Sequence, residues 1–214
     1  MKNMNFPNKL TIIRFCLSFL IVILMCIPYQ SWFSWTPTEI PTTGFNIIDL
    51  ICCIIFIAAA VTDTLDGNIA RKYNLISDFG KFMDPLADKA LVNTSLIVLA
   101  VYKSAYLPVI IVVLFIIRDL AVDGLRFIAA SRGDVIAANN WGKAKTVSQM
   151  IVIPFIFLNG FPFSYISATT AQITTIVLVS ISCCLSLIAG FIYIKAGWKY
   201  ISAVDKTTFD KEGE

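Results

Sequence analysis

Four aspartates lie within or beside apolar stretches of the chain: Asp63, Asp66, Asp84 and Asp88. A carboxylate at the centre of a membrane helix costs roughly 2.5 to 3.5 kcal/mol, so acids grouped in this way need a compensating partner. Oxygen-only ligands suit Mg²⁺ or Mn²⁺, and four carboxylates are enough to hold two ions around a bridging diphosphate. The pattern therefore indicates metal-dependent chemistry on a diphosphate.

The spacing of these acids places them on two matched helix faces. At about 100° per residue, Asp63 and Asp66 lie about 60° apart, and Asp84 and Asp88 lie about one turn apart on the next helix. The connection over 72–81 is short, which predicts that the two helices are antiparallel neighbours. Both pairs of carboxylates are then expected to face one cleft.

Small and cationic residues accompany the acids and favour a nucleotide diphosphate over a bare ion. Gly67, Ala70 and Gly80 leave room for a bulky polar group near the backbone. Arg71 offers a planar fork of donors for a phosphate. The purely structural alternative is a set of acids that cap helices or hydrogen-bond between them, which fits four acids on two matched faces poorly.

The composition indicates an integral membrane protein whose helices position these residues. Apolar residues make up 57% of the 214 positions and charged residues only 14%. About 20 apolar residues are needed to cross a bilayer. Six stretches meet this length approximately and predict an all-α bundle of six transmembrane helices in a single domain over 1–214: 10–28, 45–70, 82–101, 107–127, 147–161 and 170–193.

The distribution of Lys and Arg predicts the orientation of this bundle. Basic residues gather at alternate ends of the predicted helices, whereas the segments 29–44 and 159–168 contain none. Because basic loops remain in the cytoplasm, both termini and the aspartates are expected on the cytoplasmic side of the cell membrane. Lys103 is the single basic residue on the opposite side. The first apolar run lacks a signal-peptide cleavage site and is expected to remain as a helix.

Several classes of function are excluded or disfavoured. The chain has no histidine, so carboxylates, Lys and Arg must carry any acid–base chemistry. Its six cysteines show no CxxC spacing, which argues against a zinc site or a disulfide framework. A net charge of +3 gives no indication of nucleic-acid binding.

Cations in otherwise apolar surroundings suggest a second, anion-binding part of the site. A charge within a membrane helix is expensive unless it is paired or faces a wet cavity. In the alternative interpretation, Arg118 pairs with Asp119 or Asp123, and the lysines are interfacial anchors. The candidates for an acceptor-phosphate pocket are Arg14, Arg118, Lys143 and Lys145.

The spacing of the acids and glycines resembles the signature of the CDP-alcohol phosphotransferases. The matching pattern reads Asp63-x2-Asp66-Gly67-x2-Ala70-Arg71-x8-Gly80-x3-Asp84-x3-Asp88. The resemblance implies a metal-dependent displacement at the β-phosphorus of a CDP-linked lipid, with release of CMP. By that resemblance Asp63, Asp66, Asp84 and Asp88 hold two Mg²⁺ or Mn²⁺ ions, and Asp88 is the catalytic base. Asp63, Gly67, Ala70, Arg71 and Gly80 would bind the CDP group.

Further stretches are similar to the bacterial phosphatidylglycerolphosphate synthase subfamily. They cover 6–14 (FPNKLTIIR), 79–89 (FGKFMDPLADK), 117–126 (IRDLAVDGLR) and 141–146 (WGKAKT). The resemblance implies CDP-diacylglycerol and glycerol 3-phosphate as substrates, phosphatidylglycerol phosphate as product, and a homodimer. Thr64, Asp119 and Asp123 depart from the residues usual in that subfamily.

Two alternatives remain open from the sequence. The first is the same reaction with another acceptor, as in a cardiolipin, phosphatidylserine or phosphatidylinositol-phosphate synthase. The second is a cation transporter, since intramembrane acids also mark ion pathways. Transport is disfavoured because the acids cluster at one end and no internal repeat is visible.

Overall fold

The computed structural model describes the backbone of residues 6–39, 44–72, 78–131 and 140–209, and within these ranges it describes side chains except at 6–7, 63–72, 78–79, 81–82 and 199–209. Within these ranges the architecture is helical, apart from an isolated antiparallel bridge between Glu39 and Asn46. The helices are α1 (Phe6–Cys26), α2 (Tyr29–Phe33), α3 (Ile47–Lys72), α4 (Asp78–Tyr102), α5 (Val109–Ser131), α6 (Asn140–Phe157) and α7 (Ala168–Phe209), with a 3₁₀ turn at Phe163–Tyr165.

Each of the six predicted apolar stretches coincides with one long helix. Among the residues whose side chains are described, three of these helices contain spans long and apolar enough to cross a membrane: Asn8–Cys26, Met83–Tyr102 and Ala168–Trp198. The apolar part of α3, Ile47–Thr62, is shorter. The second half of α5 carries four charged residues, Arg118, Asp119, Asp123 and Arg126, so its apolar run is interrupted.

Local sequence explains where α3 begins and where α6 ends. At the start of α3, Asn46 Oδ1 accepts a hydrogen bond from the Asp49 amide at 2.9 Å, and Asp49 Oδ2 accepts one from the Asn46 amide at 3.1 Å. This is a reciprocal capping box. Helix α6 ends at Phe157, four residues before the predicted limit, because Asn159 and Gly160 adopt left-handed conformations with φ of 50° and 74°.

The long helices pack in two groups that meet along α3, α4, α5 and α6. Helix α1 packs against α3 and α4, and α7 packs against α5 and α6. Contacts of α3 with α6, and of α4 with α5 and α6, join the groups. The apolar core includes Phe56 and Phe157, whose ring centroids are 6.3 Å apart. Toward one end of this contact region the apolar packing gives way to charged side chains.

At the opposite end of the bundle, a buried polar cluster links the segments that precede α3, follow α4 and follow α6. Lys103 Nζ donates to Asp49 Oδ2 at 2.6 Å and to Asn159 Oδ1 at 2.7 Å. Asn159 Nδ2 in turn donates to the Gly44 carbonyl at 2.5 Å. Lys103, the exception to the charge pattern of the loops, is therefore the cation of a buried ion pair.

Candidate active site

A cavity of about 550 Å³ opens between α4, α5, α6 and α7. Its lining, within the described part of the chain, contains five cations and three carboxylates. The cations are Lys89, Arg118, Arg126, Lys143 and Lys145, and the carboxylates are Asp88, Asp119 and Asp123. A cavity of this size with an excess of cations suits a small anionic ligand.

Helix α4 brings two of the predicted acids to this region. Asp84 and Asp88 lie one turn apart on α4, and Asp88 lines the cavity. The Asp84 carboxylate is solvent-exposed, and its Oδ1 accepts a hydrogen bond from the buried Thr11 hydroxyl at 2.6 Å. Thr11 on α1 therefore fixes the orientation of Asp84.

The carboxylate of Asp119 is shared between two cations. Arg118 Nη1 donates to Asp119 Oδ1 at 2.8 Å, and Lys145 Nζ donates to Asp119 Oδ2 at 2.7 Å. The three side chains are each only about 10% exposed. Because a single negative charge serves two cations, the cluster retains positive charge for a further ligand.

Arg118 has donors left over after this pairing. Its Nε and Nη2 atoms are buried and have no hydrogen-bond partner among the residues that the structure describes. A guanidinium is planar and always charged, and its adjacent donors match two oxygens of a phosphate. The cavity thus contains a donor pair with the chemistry of an anion site.

A glycine on α7 makes room for this guanidinium. An alanine Cβ at position 190 would lie 2.7 Å from Arg118 Cγ and 3.1 Å from its Nε. The absence of a side chain at Gly190 lets α7 pack directly against the Arg118 stem. The position of Arg118 is therefore set by α6, through Lys145 and Asp119, and by α7.

Two further contacts join the helices around the cavity. Lys89 on α4 forms an ion pair with Asp123 on α5. Arg126 Nη2 donates to the Tyr193 hydroxyl at 2.9 Å, and the Arg126 guanidinium carbon lies 4.9 Å from the centre of the Tyr193 ring. These pairs connect α4 to α5 and α5 to α7.

The structure brings together part of the predicted site. Asp88, Arg118, Lys143 and Lys145 line one cavity. Arg14 is buried on α1 with 1% of its surface exposed, and it is not among the described residues that line this cavity. Gly80 is buried on α4. For five predicted site residues the structure describes only the helical backbone: Asp63, Asp66, Gly67, Ala70 and Arg71.

The two interpretations of the buried cations both describe part of what is observed. Arg118 pairs with Asp119, as the structural alternative predicted, and also lines a cavity with unpartnered donors. Lys145 is only 8% exposed and lies within an ion pair, so the interfacial-anchor interpretation of this lysine is wrong.

Among the neutral polar residues of this region that sequence reasoning missed are Thr11, Asn93 and Gln149. A signal existed for two of them. Gln149 follows Lys145 by four residues and so shares its helix face, and Thr11 precedes Arg14 by three. Asn93 is followed by Thr94 and Ser95 in an otherwise apolar stretch, and the sequence alone does not distinguish it from a structural amide.

Comparison with known proteins identifies the family. The family model described as CDP-alcohol phosphatidyltransferase matches residues 4–186. A CDP-diacylglycerol–glycerol-3-phosphate 3-phosphatidyltransferase of Bacillus subtilis (strain 168) is 38% identical over 92% of this chain and 94% of the relative. Proteins of the same description are 39% identical in Mycoplasma pneumoniae, over 74% of this chain and 69% of the relative, and 31% identical in Rickettsia bellii, over 92% and 97%.

The matched region contains the acids on α3 and α4 together with every described residue that lines the cavity except Tyr193. Family membership favours a transferase over the transport alternative. The resemblance carried by the aspartate signature is thus confirmed across most of the sequence, and the chain belongs to the CDP-alcohol phosphatidyltransferase family.

Proposed function

We propose that this protein transfers the phosphatidyl group of CDP-diacylglycerol to glycerol 3-phosphate, giving phosphatidylglycerol phosphate and CMP. The observation that carries the proposal is the common cavity of Asp88, Arg118, Lys143 and Lys145. It joins a carboxylate able to accept a proton to cations able to hold a phosphate. The names of the relatives in Bacillus, Mycoplasma and Rickettsia support the same acceptor.

The acceptor phosphate binds at the cation cluster. Arg118 offers its Nε and Nη2 donors, and Lys145 is held beside it through the shared Asp119 carboxylate. Lys143 adds a further positive charge to the same lining. Binding the phosphate here leaves the other end of the acceptor, with its hydroxyl, directed toward the α4 side of the cavity.

Asp88 acts as the general base of the transfer. The acceptor hydroxyl oxygen forms a bond to the β-phosphorus of the donor as its proton passes to the Asp88 carboxylate. The bond from this phosphorus to the bridging oxygen breaks, and CMP leaves with that oxygen. A positioned base contributes typically about 10²- to 10⁴-fold to such a step.

The donor set fits Mg²⁺ or Mn²⁺. Asp84 and Asp88 present oxygen ligands one helical turn apart, and the Thr11 hydroxyl orients Asp84 in the manner of an outer-shell partner. Asp63 and Asp66 on α3 complete the proposed ligand set for two ions. The chemistry that bound cations supply is neutralisation of charge on the diphosphate and on the departing CMP.

The CDP group is assigned to the segment that joins the two acid pairs. Asp63, Gly67, Ala70 and Arg71 on α3, together with Gly80 on α4, form this part of the proposal. The glycines and the alanine would let the nucleotide approach the backbone, and Arg71 would bind a phosphate oxygen. The assignment rests on the family signature.

The proposed setting is a multi-pass arrangement of the six long helices in the cell membrane, as one domain and as a homodimer. Both termini and the active site face the cytoplasm, where a soluble phosphorylated acceptor is available. The distribution of basic residues supports this orientation. Lys103 does not oppose it, because the lysine is paired with Asp49.

The test is turnover by purified protein with CDP-diacylglycerol and Mg²⁺. Glycerol 3-phosphate, phosphatidylglycerol, serine and inositol phosphate are offered separately, CMP release is measured, and the lipid product is identified by mass spectrometry. Release of CMP with glycerol 3-phosphate alone is the expected result. Release with only one of the other acceptors would keep the reaction class and overturn the acceptor assignment, and no release with any would overturn the proposal.

A further inference from the structure

Two carboxamides line the cavity beside the cation cluster. Asn93 lies on α4 and Gln149 on α6, and both are in the lining that contains Arg118 and Lys145. Gln149 is only 3% exposed. Its Nε2 atom and the Asn93 Oδ1 atom are buried without a hydrogen-bond partner among the residues that the structure describes.

Buried amide groups of this kind are uncommon because leaving them unpaired costs free energy. A ligand that enters the cavity can supply the missing partners. Gln149 Nε2 needs an acceptor, and Asn93 Oδ1 needs a donor. A fully ionised phosphate can satisfy the first but has no proton for the second, whereas a hydroxyl group can satisfy both.

The placement of the amides separates them from the phosphate donors. Gln149 lies one turn beyond Lys145, on the same face of α6 and toward its apolar end. Asn93 lies one turn beyond Lys89 on α4 and five residues beyond Asp88. The amides are therefore available to a part of the ligand other than its phosphate.

We infer that Asn93 and Gln149 bind the non-reacting hydroxyl of the acceptor and thereby select a polyol phosphate over a simple alcohol phosphate. The inference rests on the proposed function, since it concerns the acceptor of that reaction. Glycerol 3-phosphate has one hydroxyl that attacks and a second that is free to be recognised. A site built to hydrogen-bond a hydroxyl rejects the analogue that lacks it, because its buried polar groups stay unpaired.

Ribose hydroxyls of the CDP group are a second source of the same chemistry. The cation cluster beside the amides favours the acceptor, whose phosphate and hydroxyl are close together in a small molecule. A donor analogue with a 2′-deoxyribose distinguishes the two sources. An amide pair that binds the acceptor is insensitive to this change in the donor.

The experiment compares glycerol 3-phosphate with 1,3-propanediol monophosphate, which retains the phosphate and the attacking hydroxyl but lacks the middle one. The wild-type protein is expected to prefer glycerol 3-phosphate by at least about tenfold in kcat/KM. In Gln149→Met and in Asn93→Leu the preference should fall to within about threefold of unity. Activity on the analogue should change little, whereas a merely structural defect would lower both activities equally.

Ser148→Ala is the matched control. Ser148 neighbours Gln149 on α6 and makes a polar contact with Ser182 at 2.8 Å, but it is not part of the described lining of this cavity. The substrate preference of this variant should equal that of the wild type. Thermal unfolding of each variant in detergent separates a loss of selectivity from a loss of fold.

Three results would overturn the inference. They are equal turnover of both acceptors by the wild type, an unchanged preference in folded variants, and a preference that changes with the deoxyribose donor instead. The first needs no variant, so a failure of Gln149→Met and Asn93→Leu to fold leaves the inference testable. A wild-type protein that releases no CMP with glycerol 3-phosphate would instead refute the proposed function.

Discussion

Replacing Arg118 by methionine tests the acceptor pocket most directly. The substitution keeps an unbranched side chain against Gly190 and removes the guanidinium, with its buried Nε and Nη2 donors. Hydrogen bonds to charged groups contribute about 1.5–3 kcal/mol each. The loss of one such interaction with phosphate corresponds to a decrease of about 10- to 150-fold in kcat/KM.

The ion-pair geometry predicts that this variant still folds. After Arg118→Met, the Asp119 carboxylate keeps Lys145 as a partner at 2.7 Å. No unpaired buried charge is created, so the large penalty of a broken buried pair does not apply. The decrease in kcat/KM is expected mainly as a higher KM for glycerol 3-phosphate, because Arg118 contacts the non-reacting phosphate in the proposed pocket.

The assay measures initial rates of CMP release against glycerol 3-phosphate concentration at saturating CDP-diacylglycerol. Gly190→Ala provides an independent perturbation from α7, since its new Cβ would lie 2.7 Å from Arg118 Cγ and displace that side chain. Gly190→Ala alone should raise KM, but it should add little in the Arg118→Met background. A folded Arg118→Met protein with kcat/KM within about threefold of the wild type would refute the pocket.

Three further substitutions separate the roles of other residues. Asp88→Asn should lower CMP release by at least about 10²-fold without loss of fold, because an amide cannot accept the hydroxyl proton; turnover near the wild-type rate would contradict its role as base. Thr11→Val should weaken binding of Mn²⁺, followed by electron paramagnetic resonance, by about 10- to 100-fold through the loss of the hydrogen bond to Asp84. Thr11→Ser should restore the affinity, and equal affinity in both variants would argue against this positioning role. Lys103→Met should lower the free energy of unfolding by about 3–5 kcal/mol, since Asp49 is left as a buried charge. The KM of the folded Lys103→Met protein should be unchanged, and a raised KM would indicate coupling between the two ends of the bundle.

The apolar stretches predicted the long helices well and their ends poorly. The sixth stretch was predicted over 170–193, whereas α7 extends over Ala168–Phe209. Apolar runs report the length that a bilayer demands, but a helix continues as long as its residues favour it. Helix α6, by contrast, ends before its apolar run does, because Asn159 and Gly160 adopt left-handed conformations that stop the helix.

Charges were predicted as site residues more readily than neutral polar groups. A buried Arg or Asp is conspicuous in an apolar sequence because its burial is so costly. The burial of Thr11 and Gln149 is less costly, since amides and hydroxyls in helices are commonly satisfied within the bundle, and only their helical spacing from Arg14 and Lys145 points to them. Their importance emerges from the hydrogen bond to Asp84 and from the unpartnered amide in the cavity.

Helical spacing alone does not predict the ion pair between Arg118 and Asp119. Adjacent residues on a helix do not face each other. The contact forms because the arginine side chain is long and because Lys145 on α6 holds the other oxygen of the same carboxylate. Three-dimensional packing therefore produces the ion pair and also leaves the unpartnered donors on which the proposed anion pocket rests.

The charge balance of the cavity links these contacts to the choice of acceptor. Asp119 forms an ion pair with Lys145, and Asp123 forms one with Lys89. These pairs reduce the repulsion among the lysines and arginines of the cavity. Five cations still face three carboxylates within the described lining, an excess of two positive charges. A phosphate monoester carries about −1.5 to −2 at neutral pH and so matches this excess. Serine, which has no net charge, would leave the buried Nε and Nη2 donors of Arg118 without an anionic partner, and the electrostatics of the cavity therefore favour an acceptor that carries its own phosphate.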